Sequence, residues 1–203
     1  KEADKILNIA LDTMQEYEVD SLNKPTNMIN ISESIKLDVK VDAMKNPFNN
    51  TLPKALERKI DAIYDYIRND KKVVVAFSGG VDSSLLIKLC NDVLGENVVA
   101  VTIKGAHVPK AEFDEATELT KKLNIKHNII YEDILSIKEV KQSGIERCYF
   151  CKKFLFNAIT KFANEIGAKA IYDGSNLDDL SDYRPGMKAL KELDIKSPFL
   201  DTM

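Results

Sequence analysis

The chain has 203 residues, enough for one α/β domain with a substantial core and a smaller appendage. Its 29 Lys and Arg oppose 32 Asp and Glu, and the formal charge of −3 gives no indication of nucleic acid as a partner. No run approaches the ~18 apolar residues of a membrane helix, and residues 1–17 predict a charged amphipathic helix, so we expect a cytoplasmic protein with no membrane partner.

Residues 1–50 differ in character from the rest and predict a small N-terminal extension. Apolar residues from Ile6 to Met14 have helical spacing, and SIKLDVKVDA alternates apolar and charged residues like a half-buried strand. A linker containing Pro47 and Pro53 follows. We interpret the extension, whose role is unknown, as a packing or oligomerisation element, and we expect a homo-oligomer.

Residues 51–203 predict one domain in which helices and strands alternate. The predicted order is helix LPKALERKIDAIYDYIRN, strand KKVVVAFS, helix DSSLLIKLCNDVLG, strand NVVAVTIK, helix PKAEFDEATELTKKLN, strand KHNIIYED, helix RCYFCKKFLFNAITKFANEIG and strand AKAIYDGS. Apolar strands alternating with helices imply a doubly wound, Rossmann-like parallel sheet. Ligands of such sheets bind at the carboxyl edge, where the strand order reverses. Because the chain lacks an initial Met and stops after an apolar run, we expect a fragment without its C-terminal domain.

The first predicted strand leads into SGGVDSS, which is typical of an anion-binding loop. Gly79 and Gly80 allow positive φ and close approach of backbone amides to an anion, and the following helix, beginning near Asp82 or Ser83, adds its N-terminal amides. The spacing matches neither a Walker A loop nor G-x-G-x-x-G. A tight turn with capping side chains would explain the glycines alone, but it does not explain the whole strand, loop and helix.

The string SGGVDSS resembles the pyrophosphate-binding loop of the PP-loop ATP pyrophosphatases, which have an adenine nucleotide alpha hydrolase-like fold. Members of that superfamily adenylate a substrate oxygen and release pyrophosphate, after which a nucleophile displaces AMP. The resemblance implies ATP and Mg²⁺ as cofactors and makes Asp82 a catalytic residue and magnesium ligand. The expected ATP-binding residues are Ala76, Phe77, Ser78, Gly79, Gly80, Asp82, Ser83, Ser84, Thr102, Ile103, Lys104, Asp173 and Gly174. The last two lie at the end of the last predicted strand.

A second stretch, YDGSNLDDLSDYRPGMKALKELDIKSPF at residues 172–199, begins within the last predicted strand. That strand is expected beside the strand before Ser78, which brings the DGSN residues to the same pocket. The charged loop after them, with Asp179, Asp182 and Arg184, would on charge alone be solvated surface. The ordered strings DGSN, DYRPGMKA and SP, however, resemble the LarE family of sulfur transferases.

The LarE resemblance spans roughly residues 55–199 and implies the reaction. That family inserts sulfur into pyridinium-3,5-biscarboxylate mononucleotide for the nickel-pincer cofactor, so a small nucleotide substrate and a sulfur donor are the implied partners. Lys152 and Arg184 are candidate catalytic cations, since an anionic nucleotide needs them. The expected substrate-binding residues are Glu112, Ser175, Asn176, Asp182 and Arg184.

Two other functions remain open at this point. One is thiolation of tRNA by a PP-loop enzyme, against which stand the acidic balance and the absence of paired zinc-knuckle motifs. The other is a non-catalytic nucleotide-sensing module.

Three cysteines are too few for a disulfide framework. Cys90 is in register with apolar helix positions and is expected in the core. Cys148 and Cys151 share one face at a helix start, where the helix N-terminus is expected to lower the thiol pKa. Zinc is not expected, because only His107 could join them at that edge.

The resemblance adds a specific role for the cysteine pair. Some LarE members give up a cysteine sulfur, and others hold a 4Fe-4S cluster with three cysteines. Cys148 and Cys151 match two of these three, which makes them candidate iron ligands, with the third ligand expected outside this chain.

Overall fold

The computed structural model describes residues 54–105, 108–142, 144–180 and 184–202. The expected N-terminal extension, His107 and Asp182 lie outside the described residues. Residues Glu57–Met203 form one compact unit. None of the helices in the described ranges is both long and apolar enough to cross a membrane.

Four parallel strands form the sheet, in the order β3-β2-β1-β4. Their bounds are Val73–Ala76 for β1, Val98–Lys104 for β2, Lys126–Tyr131 for β3 and Ala170–Tyr172 for β4. All four lie within the predicted strand segments, and β4 pairs with β1 as expected. The doubly wound parallel α/β fold is therefore confirmed.

Seven α-helices occur in the described ranges, namely α1 (Lys54–Arg68), α2 (Val81–Leu94), α3 (Lys110–Lys122), α4 (Lys138–Lys141), α5 (Arg147–Glu165), α6 (Pro185–Glu192) and α7 (Pro198–Asp201). The sequence pattern predicted α1, α2, α3 and α5. Pro185 and Gly186 also predict a turn before a short helix, but in the structure both residues belong to the first turn of α6. The sequence pattern missed α4, α7 and the 3₁₀ turns Gly95–Asn97, Ile134–Ser136 and Leu177–Leu180. These elements are too short to show an apolar period.

The core lies on both faces of the sheet because successive strand side chains alternate. On one face, Val74 and Val101 pack with Phe156 and Ile159 of α5 and with Leu190 of α6. On the other face, α2 packs against β1 and β2. Cys90 of α2 is fully buried, which confirms its expected place in the core.

The strand order reverses at β1, which has β2 on one side and β4 on the other. Val73 is opposite Val98 in one neighbour and Ala170 in the other, so the three strands begin at one level. At the carboxyl edge, β2 extends three residues beyond Val101, the residue opposite the end of β1. Such a reversal opens a crevice at the carboxyl edge of the sheet. The fold therefore places the loop after β1 beside the segment after β4.

A buried polar cluster anchors the segment after α6 to the sheet. Lys196 forms a parallel bridge with Tyr172 at the outer edge of β4. The Tyr172 hydroxyl donates to Asp70 Oδ2 at 2.7 Å, and Lys196 Nζ donates to the same oxygen at 2.7 Å. Burial first, and then the hydrogen bond to Asp70, raise the pKa of Tyr172, so its hydroxyl remains a donor.

We expect Tyr172→Phe to lower the free energy of unfolding by about 1.5–3 kcal/mol, the range for a hydrogen bond to a charged group. The loss arises because Tyr172 is fully buried and, among the described residues, Asp70 keeps only Lys196 as a side-chain donor. Urea denaturation measures it. Tyr64→Phe is the matched control, since its hydroxyl reaches Asp92 at 3.3 Å in a more exposed place. Equal losses in the two variants would contradict the prediction.

Candidate functional site

A cavity of about 480 Å³ opens at the carboxyl edge of the sheet. It is bounded by the residues after β1, the end of β2, the start of α3, one face of α5 and the segment after β4. Its size is that of a small-ligand site. Twelve of the residues that the sequence assigned to a site line it, namely Ala76, Phe77, Ser78, Gly80, Asp82, Ser83, Thr102, Ile103, Glu112, Asp173, Gly174 and Ser175.

The loop after β1 depends on Gly79. Its φ is +83°, and a Cβ added there would lie 2.9 Å from Ala116 Cβ of α3. Gly80 differs, because its φ is −69° and it is the N-cap of α2. The expectation of positive φ therefore holds only for Gly79. Helix α2 begins at Val81, slightly earlier than expected, and Ser84 N donates its first backbone bond to Gly80 O at 2.9 Å.

The serines of the loop bond mainly to the loop itself. Ser83 Oγ donates to Gly80 O at 3.1 Å and lies 3.1 Å from Ser78 Oγ. Ser84 Oγ donates to Gly79 O at 3.3 Å from a buried place behind the cavity wall. These bonds stabilise the loop.

The start of α2 offers backbone amides to the cavity. The first amides of a helix have no intrahelical partner and favour an anion. Gly174 packs closely there, because a Cβ on it would lie 3.0 Å from Ser83 N. The arrangement suits a phosphate group bound at the N-terminus of α2.

Carboxylates dominate the charged residues of the cavity wall. They are Asp82, Glu112, Asp173 and Asp179, and among the described residues no Lys, Arg or His lines the cavity. The two candidate cations do not line the cavity but pair with two of these carboxylates. Lys152 Nζ is 3.6 Å from Asp173 Oδ2, and Arg184 forms an ion pair with Asp179.

Asp173 is held in a defined orientation. Its Oδ1 accepts hydrogen bonds from Ser175 N at 3.0 Å and from Ser197 Oγ at 3.1 Å. Its Oδ2 is left for Lys152. Because Asp173 and Ser197 are both buried, this geometry is well protected from water.

The wall residues that the sequence did not assign to a site are all apolar except Asp179. Val101, Val108, Leu155, Phe156 and Ile159 line the cavity. Their helical or strand spacing indicates only a core, and no sequence signal distinguishes a cavity wall from a packed interior. Val81 and Asp179 also line the cavity.

Thr102 is occupied by structural hydrogen bonds at the floor of the cavity. Its hydroxyl donates to Phe77 O at 2.7 Å, and His127 Nε2 lies 2.8 Å from the same hydroxyl oxygen. Burial lowers the pKa of His127. This chain of contacts fixes the end of β1 immediately before the glycine loop.

Besides the two cations and the two cysteines of α5, four predicted site residues in the described ranges do not line the cavity. Gly79 and Ser84 support the loop from behind, and Lys104 Nζ lies over the Phe113 ring at 3.8 Å. Asn176 shapes the turn that carries Asp179, because Asn176 N donates to Asp179 Oδ2 at 3.0 Å.

The two cysteines of α5 lie near the cavity but do not line it. Cys148 is exposed and Cys151 is partly buried. At helical spacing Cys148 shares a face with Lys152, and Cys151 shares one with Leu155 of the cavity wall. Burial first, and then the charge of Cys148, raise the pKa of the Cys151 thiol, so the expected lowering by the helix start is wrong for Cys151.

A metal held by protein ligands alone has no site in the described ranges. There, no three His, Cys, Asp or Glu side chains converge on one point. Cys90, the third cysteine, is in the core.

Comparison with known proteins identifies related chains. A family model described as NAD synthase matches residues 55–155. An uncharacterised Synechocystis protein, slr1717, is 34% identical over 146 residues, covering 72% of this chain and 54% of its own length. The pyridinium-3,5-bisthiocarboxylic acid mononucleotide synthase of Lactiplantibacillus plantarum is 36% identical over 132 residues, covering 64% of this chain and 48% of its own length.

A tRNA 2-thiolation protein, NcsA, of Haloferax volcanii is 31% identical over 123 residues, covering 55% of this chain and 38% of its own length. Among solved structures, an NH3-dependent NAD synthetase from Campylobacter jejuni, in complex with nitrate, has a TM-score of 0.51 and 26% identity, covering 61% of this chain and 58% of that one. The chain spans about half the length of the first curated relatives it matches.

The fold and the glycine loop are those of a PP-loop protein, and the family model and the solved NAD synthetase agree with this class. The chain belongs to the PP-loop family, and its similarity to the Lactiplantibacillus synthase supports the LarE family within it.

We expect Gly79→Ala to be less stable than Gly80→Ala by about 1–2 kcal/mol, the cost of a left-handed backbone for a residue with a Cβ. The contact with Ala116 adds to the loss in the first variant, whereas a Cβ on Gly80 meets only Ser78 Oγ, at 3.4 Å. Chemical denaturation of both variants checks the difference. Equal unfolding midpoints would show that the loop is not constrained in this way.

Alkylation of Cys151 by iodoacetamide should require a higher pH than alkylation of an ordinary thiol, because burial and Cys148 raise the pKa of Cys151. Replacing Cys148 by Ser should lower the midpoint of the pH profile without restoring the ordinary value, since burial remains. Mass spectrometry of the labelled peptide measures the rate, and urea-unfolded protein is the control. A midpoint below the ordinary thiol range would contradict the burial effect.

Proposed function

We propose that this chain is the ATP-binding part of a sulfur transferase that acts on pyridinium-3,5-biscarboxylate mononucleotide, a precursor of the nickel-pincer cofactor. The observation that carries the proposal is that one cavity joins the SGGVDSS loop to the Asp173–Ser175 segment. The first feature suits the phosphates of ATP, and the second belongs to the stretch that resembles the LarE family. The similarity to the Lactiplantibacillus synthase supports the substrate class.

The chemistry follows from the poor electrophilicity of a carboxylate. A carboxylate oxygen of the substrate attacks the α-phosphorus of ATP, and pyrophosphate leaves. A sulfur nucleophile then adds to the acyl carbon, and AMP leaves with the original oxygen. The start of α2 would bind the pyrophosphate portion, with Ser78 and Ser83 lining the same wall.

The carboxylates of the wall suit a magnesium ion that arrives with the nucleotide. Mg²⁺ in nucleotide sites takes one or two protein carboxylates and completes its shell with phosphate oxygens and water. Asp82 lines the cavity in the first turn of α2 and is the proposed ligand. Asp173 is a second carboxylate on the same wall.

Lys152 and Arg184 are the proposed contacts for the anionic acceptor. Both already pair with carboxylates of the wall, Asp173 and Asp179 respectively. A magnesium ion drawing on those carboxylates would release the cations toward the substrate. Glu112, Ser175, Asn176 and Asp182 remain proposed substrate residues, of which Glu112 and Ser175 line the cavity.

Cys148 and Cys151 are proposed as two of three ligands of a 4Fe-4S cluster that would hold the transferred sulfur. Their placement on one helix face near the cavity supports this role. The described residues supply no third thiolate, because Cys90 is buried in the core. The third ligand would therefore come from elsewhere, and the residues described here fit the cluster only in part.

Two other reactions would use the same cavity. Similarity to NcsA supports tRNA thiolation, and the NAD synthase family model supports attack by a nitrogen nucleophile on an adenylated carboxylate. The exposed and partly buried cysteines near the cavity favour sulfur over nitrogen. The formal charge of −3 disfavours a polyanionic tRNA.

Mass spectrometry of the products distinguishes these reactions. The full-length protein is incubated with Mg²⁺, ATP and either sulfide or ammonia, together with the pyridinium nucleotide or unmodified tRNA. We expect AMP, pyrophosphate and a thiocarboxylate nucleotide. An amide product, or thiolated tRNA with an unchanged nucleotide, would overturn the proposal.

Gly80→Val should abolish binding of a non-hydrolysable ATP analogue with Mg²⁺ in isothermal titration, because the side chain would occupy the proposed phosphate site. The loss of stability should stay within about 1 kcal/mol, the scale of a helix-cap effect. Gly144→Ala is the control, since its Cβ meets no atom of the described residues within 4 Å. Retained affinity in Gly80→Val would place the nucleotide elsewhere.

A further inference from the structure

The side chain of Lys152 reaches the cavity wall by crossing a glycine of the neighbouring helix. A Cβ added to Gly186 of α6 would lie 2.8 Å from Lys152 Cδ and 3.4 Å from both Cγ and Cε. The ammonium at the end of this stem lies 3.6 Å from Asp173 Oδ2. The bare Cα of Gly186 therefore leaves the space through which Lys152 extends.

Backbone conformation gives no reason for glycine at this place. Gly186 lies in the first turn of α6 and is absent from the residues with positive φ in the described part of the chain. A glycine in a helix is less stabilising than alanine, because more chain entropy is lost on folding. Gly186 thus lowers helix stability and needs another explanation, which the contact with Lys152 provides.

Helix α6 is not free to move away from a larger side chain. Glu192 at its end accepts hydrogen bonds at 2.7 Å from Lys153 Nζ and from the Tyr149 hydroxyl of α5. Gly186 is itself buried between the helices. The flexible stem of Lys152, whose side chain is 34% exposed, would move instead.

We infer that Gly186 is a positioning residue for the site, because its missing side chain directs the Lys152 ammonium to Asp173. The inference rests on the proposed function where it gives Lys152 a role toward the anionic acceptor. The positioning of Lys152 by Gly186 does not depend on that function. Gly186→Ala moves the ammonium away from Asp173 while leaving the fold intact or slightly more stable.

The test is a double-mutant cycle in the full-length protein with Gly186→Ala, Lys152→Ala and the pair together. Crystal structures of the wild type and Gly186→Ala give the distance from Lys152 Nζ to Asp173 Oδ2, which is expected to exceed ion-pair range in the variant. The kcat for pyrophosphate release with the pyridinium acceptor should fall about a hundredfold in Gly186→Ala, as for a misplaced catalytic group. The kcat of Lys152→Ala should fall as far, and the kcat of the double variant should fall no further.

Thermal unfolding supplies a readout that a structural role for Gly186 would not produce. The midpoint of Gly186→Ala should match or exceed that of the wild type, and the gain should be larger when Lys152 is already Ala. Gly144→Ala, whose new Cβ meets no atom of the described residues within 4 Å, is the glycine control.

An unchanged distance from Lys152 to Asp173 in Gly186→Ala would overturn the inference. A further activity loss in the double variant beyond Lys152→Ala would also overturn it. If the wild type does not turn over the pyridinium acceptor, the proposed function fails, and the crystallographic distance still decides the positioning by Gly186. A displaced ammonium supports the positioning even then.

Discussion

The candidate site depends on close packing at two glycines, which have no side chain to keep neighbouring segments apart. Gly79 brings the loop after β1 against Ala116 of α3, and Gly174 brings the segment after β4 against the amide of Ser83. A Cβ on Gly79 would lie within 2.9 Å of a neighbouring atom, and one on Gly174 within 3.0 Å. The N-terminus of α2 and the loop before it are thereby held between α3 and the segment after β4, at the edge where parallel sheets bind ligands.

The charge arrangement of the cavity follows from this placement. Carboxylates face the cavity, and each candidate cation is paired with one of them, Lys152 with Asp173 and Arg184 with Asp179. Under the proposed function this arrangement suits a metal-bound nucleotide, because the ion would neutralise the wall and weaken its hold on both cations. Binding of the anionic acceptor would then depend on prior binding of ATP and Mg²⁺.

Much of the fold could be predicted from the sequence, because long apolar strands and amphipathic helices have distinct periods. The pairing of β4 with β1 followed from the doubly wound topology. The same topology predicted that Ser78 and Asp173 line one cavity. The apolar wall could not be predicted, since Leu155 and Phe156 have the spacing of core residues. The contact between Lys152 and Gly186 depends on how two helices pack, which local pattern does not encode.

The electrostatic expectation for the cysteines was incomplete for a related reason. Position at a helix start can be read from the sequence, but burial of Cys151 depends on tertiary packing, and burial raises the pKa of its thiol.

Nucleotide binding at the start of α2 is tested most directly by a crystal structure of the full-length protein with Mg²⁺ and a non-hydrolysable ATP analogue. We expect the β- and γ-phosphates within hydrogen-bond distance of the amides at the start of α2, beside Ser78 and Gly80. Phosphates bound elsewhere, with that helix start left in contact with solvent, would contradict this expectation.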